Sequence, residues 1–196
     1  AFSGNVIANT VEATIDHATV LAGATHSQAY DAGNGLDATD YVITVNNADV
    51  ALTALSKARI IALTVGVGGS GITAVNFTGF GNEITNTVQS LIANNSTVKA
   101  GGLVDVTATD ESSISSIGLS VAVSGAAAIS GIGGYDGITN TIKAQISEST
   151  VEAGSNDLVL PDTTTVPNVG VNLSALSNAG IYSFVGGVAA SLVEQN

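Results

Sequence analysis

The sequence predicts an all-β fold, a parallel β-solenoid with two loops inserted at one corner, and three observations carry that expectation. One line of sequence is written three times, apolar residues within each copy alternate with a period of two, and an Ala-Gly pair closes every copy at the same place. The copies are NTVEATIDHATVLAG from Asn9, NTVQSLIANNSTVKAG from Asn86 with one extra residue, and NTIKAQISESTVEAG from Asn140. A second line follows each: VALTALSKARIIA from Val50, VDVTATDESSISS from Val104 and VNLSALSNAGIYS from Val171. Val50 to Asn86 and Val104 to Asn140 are both 36 residues, and such a spacing, free of insertions, marks internal repetition.

Within the first line Val11, Ala13 and Ile15 correspond to Val88, Ser90 and Ile92 and to Ile142, Ala144 and Ile146. In the second, Val50, Leu52 and Ala54 correspond to Val104, Val106 and Ala108. Period two means strand with one face buried. The positions between tell the complementary story: Glu12, Gln89 and Lys143 share one repeat position and differ in charge, which only a solvated face tolerates. The Ala-Gly pairs at 22–23, 100–101 and 153–154 supply corners, because glycine enters backbone regions closed to other residues. GVGGSG at 66–71 and SGIGGYDG at 130–137 read as further tight corners; no helix or Lys-Ser/Thr tail follows to make either a phosphate cradle. Strands of about five residues between corners divide the 54-residue block from Val50 to Val104 into three coils of roughly 18. With the inserts set aside, this predicts about nine coils and a rod on the order of 40 Å long.

Residues 24–47 and 155–168 enter directly after the Ala-Gly corner, where the middle copy runs straight on. They are the expected inserts, projecting from one edge where extra length costs little. They hold both prolines and two of the four tyrosines, Tyr30 and Tyr41, and are the first place to expect specific contact. Residues 1–196 are thus read as one solenoid segment, with repeat lines starting near 9, 50, 86, 104, 140 and 171. Neither end carries a polar cap, so the segment is expected to be cut from, or stacked into, a longer fibre.

Composition narrows the function classes. Among 196 residues 45% are hydrophobic, only 4% aromatic and 10% charged, and 23 are glycine, a profile suited to a narrow strand-rich interior. The net charge of −12 repels phosphate backbones, so nucleic acid is not an expected partner. Without cysteine there is neither a disulfide frame nor a thiolate metal site. Residues 60–82 and 112–134 lack charge over a length that would span a bilayer, yet they are rich in Gly, Ser, Thr and Ala and recur at one repeat position. A packed interior accounts for them, and no membrane insertion is expected.

The combination NTV-x-A-x-I-x-x-S-T-V-x-A-G-G, then V-x-V-x-A-x-x-x-S-x-I, then a Gly/Ala/Ser run, resembles the repeats of large bacterial surface adhesins of the filamentous-haemagglutinin-like and leukotoxin-like kind. The likeness covers most of the chain outside the inserts and is best over residues 86–154. It implies a right-handed parallel β-helix, located outside the cell or on the bacterial surface and serving as a stalk or adhesive filament. The implied partners are neighbouring repeats of the same or a longer chain and a surface glycan or protein receptor. Low lysine content and the acidic insert from Ala24 depart from that pattern.

Candidate chemistry has plainer readings. Carbohydrate-active β-helices place carboxylates and a basic residue on an outer strand face, and Lys57, Arg59 and Asp49 are the best such set. Their repeat equivalents Glu111 and Ser113, then Asn178 and Gly180, read as surface variation, so no catalytic residue is assigned and no enzyme is expected. His17 and His26 lack metal-ligand spacing, and no metal site is assigned. Asp31, Asp37 and Asp40 with Asn34 offer oxygen ligands for calcium in the acidic insert without matching a known loop; no other cofactor is expected. Thr10, Thr87 and Thr141 align as an ice-binding face would require, but Thr14, Leu91 and Gln145 beside them do not.

Overall fold

The computed structural model describes residues 1–22, 26–30, 41–45, 48–154 and 170–192, and among these every regular element is a strand. The chain makes three passes around one circuit. The first comprises β1 (Phe2–Asp16), β2 (Thr19–Ala22), β3 (His26–Tyr30), β4 (Tyr41–Val45), β5 (Val50–Ser56) and β6 (Arg59–Ser70). The second comprises β7 (Thr73–Ala93), β8 (Thr97–Ala100), β9 (Val104–Asp110) and β10 (Ser113–Ser124). The third comprises β11 (Ala127–Ile146), β12 (Thr150–Glu152), β13 (Val171–Ser177) and β14 (Gly180–Ser191).

Four parallel three-stranded sheets each take one strand from every pass, in the orders β1-β7-β11, β2-β8-β12, β5-β9-β13 and β6-β10-β14; β3 and β4 pair with each other, antiparallel. Register follows the repeat lines. Val11 pairs with Val88 and Val88 with Ile142; Val104 sits between Val50 and Val171. The alternation expected from the sequence is strict in the middle pass, where every second residue of β9 is buried. Residues 60–82 and 112–134 lie in β6, β7, β10 and β11 and the short turns joining them, so their missing charges belong to sheets rather than to a membrane helix.

The circuit is longer than the expected 18 residues. Thr73 pairs with Ala127 and Arg59 with Ser113, each 54 positions on, so one pass consumes the whole block and there are three passes rather than nine. The lines beginning at Asn86 and Val104 are opposite walls of one flat circuit, not successive coils. At about 4.8 Å per pass the stack is about 14 Å thick, while β7 with its 21 residues reaches about 70 Å, a slab in place of the expected rod.

Glycine runs expected at corners are part of the long walls. Gly66, Gly68 and Gly69 lie inside β6, and residues 130–137 lie wholly inside β11, so these runs are strand and not corner. They make room for neighbours: a Cβ on Gly66 would collide with the Thr78 hydroxyl of the facing wall, and one on Gly134 with the ring of Phe80, its partner on the adjoining strand β7. The corner after the first long wall is instead made by left-handed residues, His17 (φ 48°), Asn94 and Asn95 (φ 57° each) and Glu148 (φ 47°), in a conformation other than glycine that Asn tolerates best.

Three apolar clusters run along the interior. The widest holds Ile92, Val98, Val104 and Val106 where three walls meet; the next centres on Val88 and Ala108, and the third on Ile84 and Ile114. Each fully buried Ile or Val contributes about 1.5–3 kcal/mol. Facing walls are offset by half a step, so that β5 packs against both β1 and β7, and β9 against both β7 and β11. Among the described residues no strand lies beyond β13. Hence Val50 is 8% exposed on the first pass whereas Val171, its column-mate on the third, is 44% exposed.

Candidate functional site

Two features distinguish this slab from a plain stack of strands: an apolar outer face and a set of interior amide ladders. The outward side of β6-β10-β14 is apolar in successive columns, Leu63–Ile117–Phe184 and Val67–Val121–Val188, flanked by Ile61 and Tyr182 in another column and by Val65 and Leu119 in a fourth. Leu63, Val67 and Phe184 are each more than 60% exposed. Four outward columns across three strands cover about 400 Å², the size at which exposed apolar patches on monomers serve recognition. On the other wall of the same end stand Val75, Phe77, Ile129 and Tyr135, also exposed. No charged side chain lies on β6 beyond Arg59, or on β10 or β14. The described ionic pairs, Lys57 with Glu111 and Lys99 with Glu152, sit away from it, towards the three-walled end. The described part of the slab thus carries an uncharged outer face on β6-β10-β14 at one end and its Lys–Glu pairs towards the other.

Inside, asparagines occupy inward positions in register. Asn5 Nδ2 donates to Asn82 Oδ1 at 2.8 Å, and Asn82 Nδ2 donates to Asp136 Oδ1 at 2.7 Å. Ser116 Oγ donates to the other Asp136 oxygen and meets Ser183 Oγ at 2.9 Å. Four residues further on, Asn9, Asn86 and Asn140 form a second column. Asn86 and Asn140 donate to Asp110 Oδ1 and Oδ2 at 2.9 and 2.6 Å, and Ser112 adds its hydroxyl at 2.6 Å and its backbone N–H at 3.2 Å. Asp110 is completely buried and satisfied by these four donors. The repeated asparagines carry no role in the repeat lines themselves; their parity, two residues before Val11, Val88 and Ile142, is the signal that turns them inward.

The candidates for carbohydrate chemistry do not converge. Lys57 pairs with Glu111 Oε2 at 2.8 Å with both side chains largely exposed, an arrangement worth about 0–1 kcal/mol. Asp49 Oδ1 accepts the Leu103 backbone N–H at 2.7 Å, tying one pass to the next, and the seven residues of β5 separate it from Lys57 by about 23 Å. Arg59 opens β6 beside Ser113. His17 holds its corner, its Nδ1 2.9 Å from Asp16 Oδ1, which also accepts Asn94 Nδ2 at 2.7 Å. The Asn94 amide first, and His17 after it, keep the Asp16 carboxyl below its usual range against a smaller opposing desolvation.

His26 falls in β3, and Asp31, Asn34, Asp37 and Asp40 lie outside the described residues, as does insert 155–168. Among the described residues no group of three or more His, Asp or Glu side chains is placed to hold a metal ion. Thr10, Thr87 and Thr141 do stand in one column, but the next outward columns are Glu12, Gln89 and Lys143 and then Thr14, Leu91 and Gln145. No protein-family model matches the chain, and comparison with curated proteins and with solved structures gives no match.

Proposed function

We propose that this chain is a structural and adhesive segment of a large bacterial cell-surface or secreted filamentous protein, wound as a right-handed parallel β-solenoid and displaying its two inserts for attachment. The observation that carries this reading is the register: β6-β10-β14 stays in step through three passes from end to end, β1-β7-β11 does so from the Phe2–Gly79–Gly133 column onward, and among the described residues no further strand lies on either side. A fold of that kind supplies length and display.

Register also supports the inserts as additions at one corner. Thr19 pairs 78 positions on and Val50 only 54, so 24 extra residues fall between β2 and β5; Thr97 pairs 53 positions on and Val104 67, so 14 fall between β12 and β13. The first of these stretches contains the antiparallel β3-β4 hairpin, set apart from the four parallel sheets. The partner proposed for the inserts is a surface glycan or a protein receptor. Beads coated with the chain should adhere to host-cell or bacterial surfaces, and a variant lacking 24–47 and 155–168 should keep its strand-rich circular dichroism yet lose adhesion. Equal adhesion by both proteins would refute display by the inserts. The open edges favour a second reading, a self-assembling extracellular fibre subunit, because long unpaired strand edges recruit further strands.

A further inference from the structure

Between one pass and the next, the fit is set inside the slab by the column Asn5, Asn82, Asp136. A carboxamide in such a ladder turns its N–H towards one neighbour and its oxygen towards the other, so it provides one donor per step. Here both steps are made, Asn5 to Asn82 and Asn82 to Asp136, and the column ends on the third pass at a group that, when ionised, only accepts.

The third-pass edge is otherwise shaped to receive the first-pass edge of another copy. Set beyond β11 in the register that β7 and β11 already share, a second β1 brings its Asn9 to Asn140, its Val11 to Ile142 and its Ile15 to Ile146, each a pairing of like with like. It also covers the third-pass side chains Val171, Leu173 and Ile181, which are nearly half exposed. The misfit in this column is Asp136, which meets the Asn5 oxygen of the newcomer. Counting donors shows that rotating amides does not repair it. From one Asp136 to the next there are three steps and two carboxamides, so one step always sets acceptor against acceptor.

We propose that the third-pass edge is a docking edge for the first-pass edge of a second copy, and that the junction closes when Asp136 takes up a proton and donates it to the Asn5 oxygen of the incoming chain. This rests on the stacking reading given above and adds its control. One proton enters from solvent per junction, and the carboxyl O–H becomes the missing donor. The groups facing Asp136 are Asn82 from β7 and Ser116 from β10, whose hydroxyl in turn meets Ser183 of β14, and none of these titrates. No charged side chain lies on β10, β13 or β14, and Glu83 of β7 has the outward parity. The next interior carboxylate, Asp110 of β9, is held by Asn140, about 13 Å further along β11. Neutralisation therefore has to occur at Asp136 itself.

The test is sedimentation velocity with negative-stain imaging from pH 7.5 to 4.5 on the whole chain, Asp136→Asn and Glu12→Gln, each first shown by circular dichroism to be folded. Asp136→Asn places a permanent donor at the mismatched step; Glu12→Gln removes one charge from the outer face and leaves the ladder untouched. The unaltered chain is expected to be dispersed at pH 7.5 and to lengthen on acidification, its association constant rising up to about tenfold per pH unit while the carboxyl is ionised. Asp136→Asn should assemble at pH 7.5 at least about tenfold more strongly than the unaltered chain, and Glu12→Gln should behave as the unaltered chain does.

Should Asp136→Asn fail to fold, proton uptake by the unaltered chain on concentration-driven assembly at fixed pH decides the matter: about one proton per junction supports the gate and none overturns it. Full assembly of the unaltered chain at pH 7.5, or equal effects of the two substitutions, overturns the gate and leaves stacking intact. Absence of assembly in every protein at every pH overturns the stacking and the gate together.

Discussion

Asp110 shows how much a single side chain is asked to do in this interior. Its carboxylate joins three strands, accepting from Asn86 of β7, Asn140 of β11 and the Ser112 hydroxyl and N–H beside β9. Asp110→Ala would take the charged acceptor from the buried Asn86 and the half-buried Asn140, leaving them only the Ser112 and Ser177 hydroxyls and each other, and should lower stability by about 1–3 kcal/mol, read as a lower urea midpoint at unchanged slope. A loss under about 0.5 kcal/mol would mean that water replaces the carboxylate freely. The asparagines around it are legible in the sequence, since three copies at one parity predict an inward column. Asp110 is not: its column-mates are Ser56 and Ser177, and one acidic residue among serines reads as the variation of a wetted face. Its parity with Val104, Val106 and Ala108 turns it inward; what satisfies a carboxylate there is the pair of asparagines on the opposite wall, a relation across the circuit that no period along the chain encodes.

At the scale of the strand, glycine is where sequence and structure part. The alternation that makes β5, β9 and β13 strands, and the lengths of chain left over at one corner, can be read directly from the repeat lines. A glycine run cannot be, because a glycine at a corner and a glycine making room for a neighbour look alike until the facing residue is known. Gly133 and Gly134 separate the two meanings on adjacent positions of β11. A methyl on Gly134 points into the interior against the Phe80 ring that crosses from β7; one on Gly133 points outward and meets nothing within 4 Å. Gly134→Ala should therefore destabilise the fold by about 1–3 kcal/mol through overpacking. Gly133→Ala should be neutral or raise stability by up to about 1 kcal/mol, because alanine loses less backbone freedom on folding. Thermal melts of the two variants give the comparison, and equal losses from both would mean that the strand, and not the facing ring, requires glycine.

At the scale of the molecule, what the slab offers a partner and what keeps it folded both follow from the number of passes. Its thin dimension was misjudged by the expected 18-residue coil because both long walls carry the same alternation and so look like separate rungs; only the pairing partner, 54 residues away, tells wall from rung. Of the three described passes, the second is the one with described strands on both sides. Ile84, Val88 and Ile92 in that pass have no exposed surface, while the corresponding residues Ile7, Val11 and Ile15 of the first pass and Ile138, Ile142 and Ile146 of the third are only partly covered. Removing the third pass would give β7 an open side and leave no long wall enclosed. Stacked repeats gain stability chiefly from such interfaces, so a two-pass chain keeps one interface of two while still having to order about two thirds of its backbone. The fragment 1–126 is accordingly expected to show no cooperative thermal transition by circular dichroism, where the complete chain melts in a single one. A fragment melting cooperatively within a few degrees of the complete chain would show that a pair of passes is self-sufficient, and that the enclosed middle pass is not the source of the fold's stability.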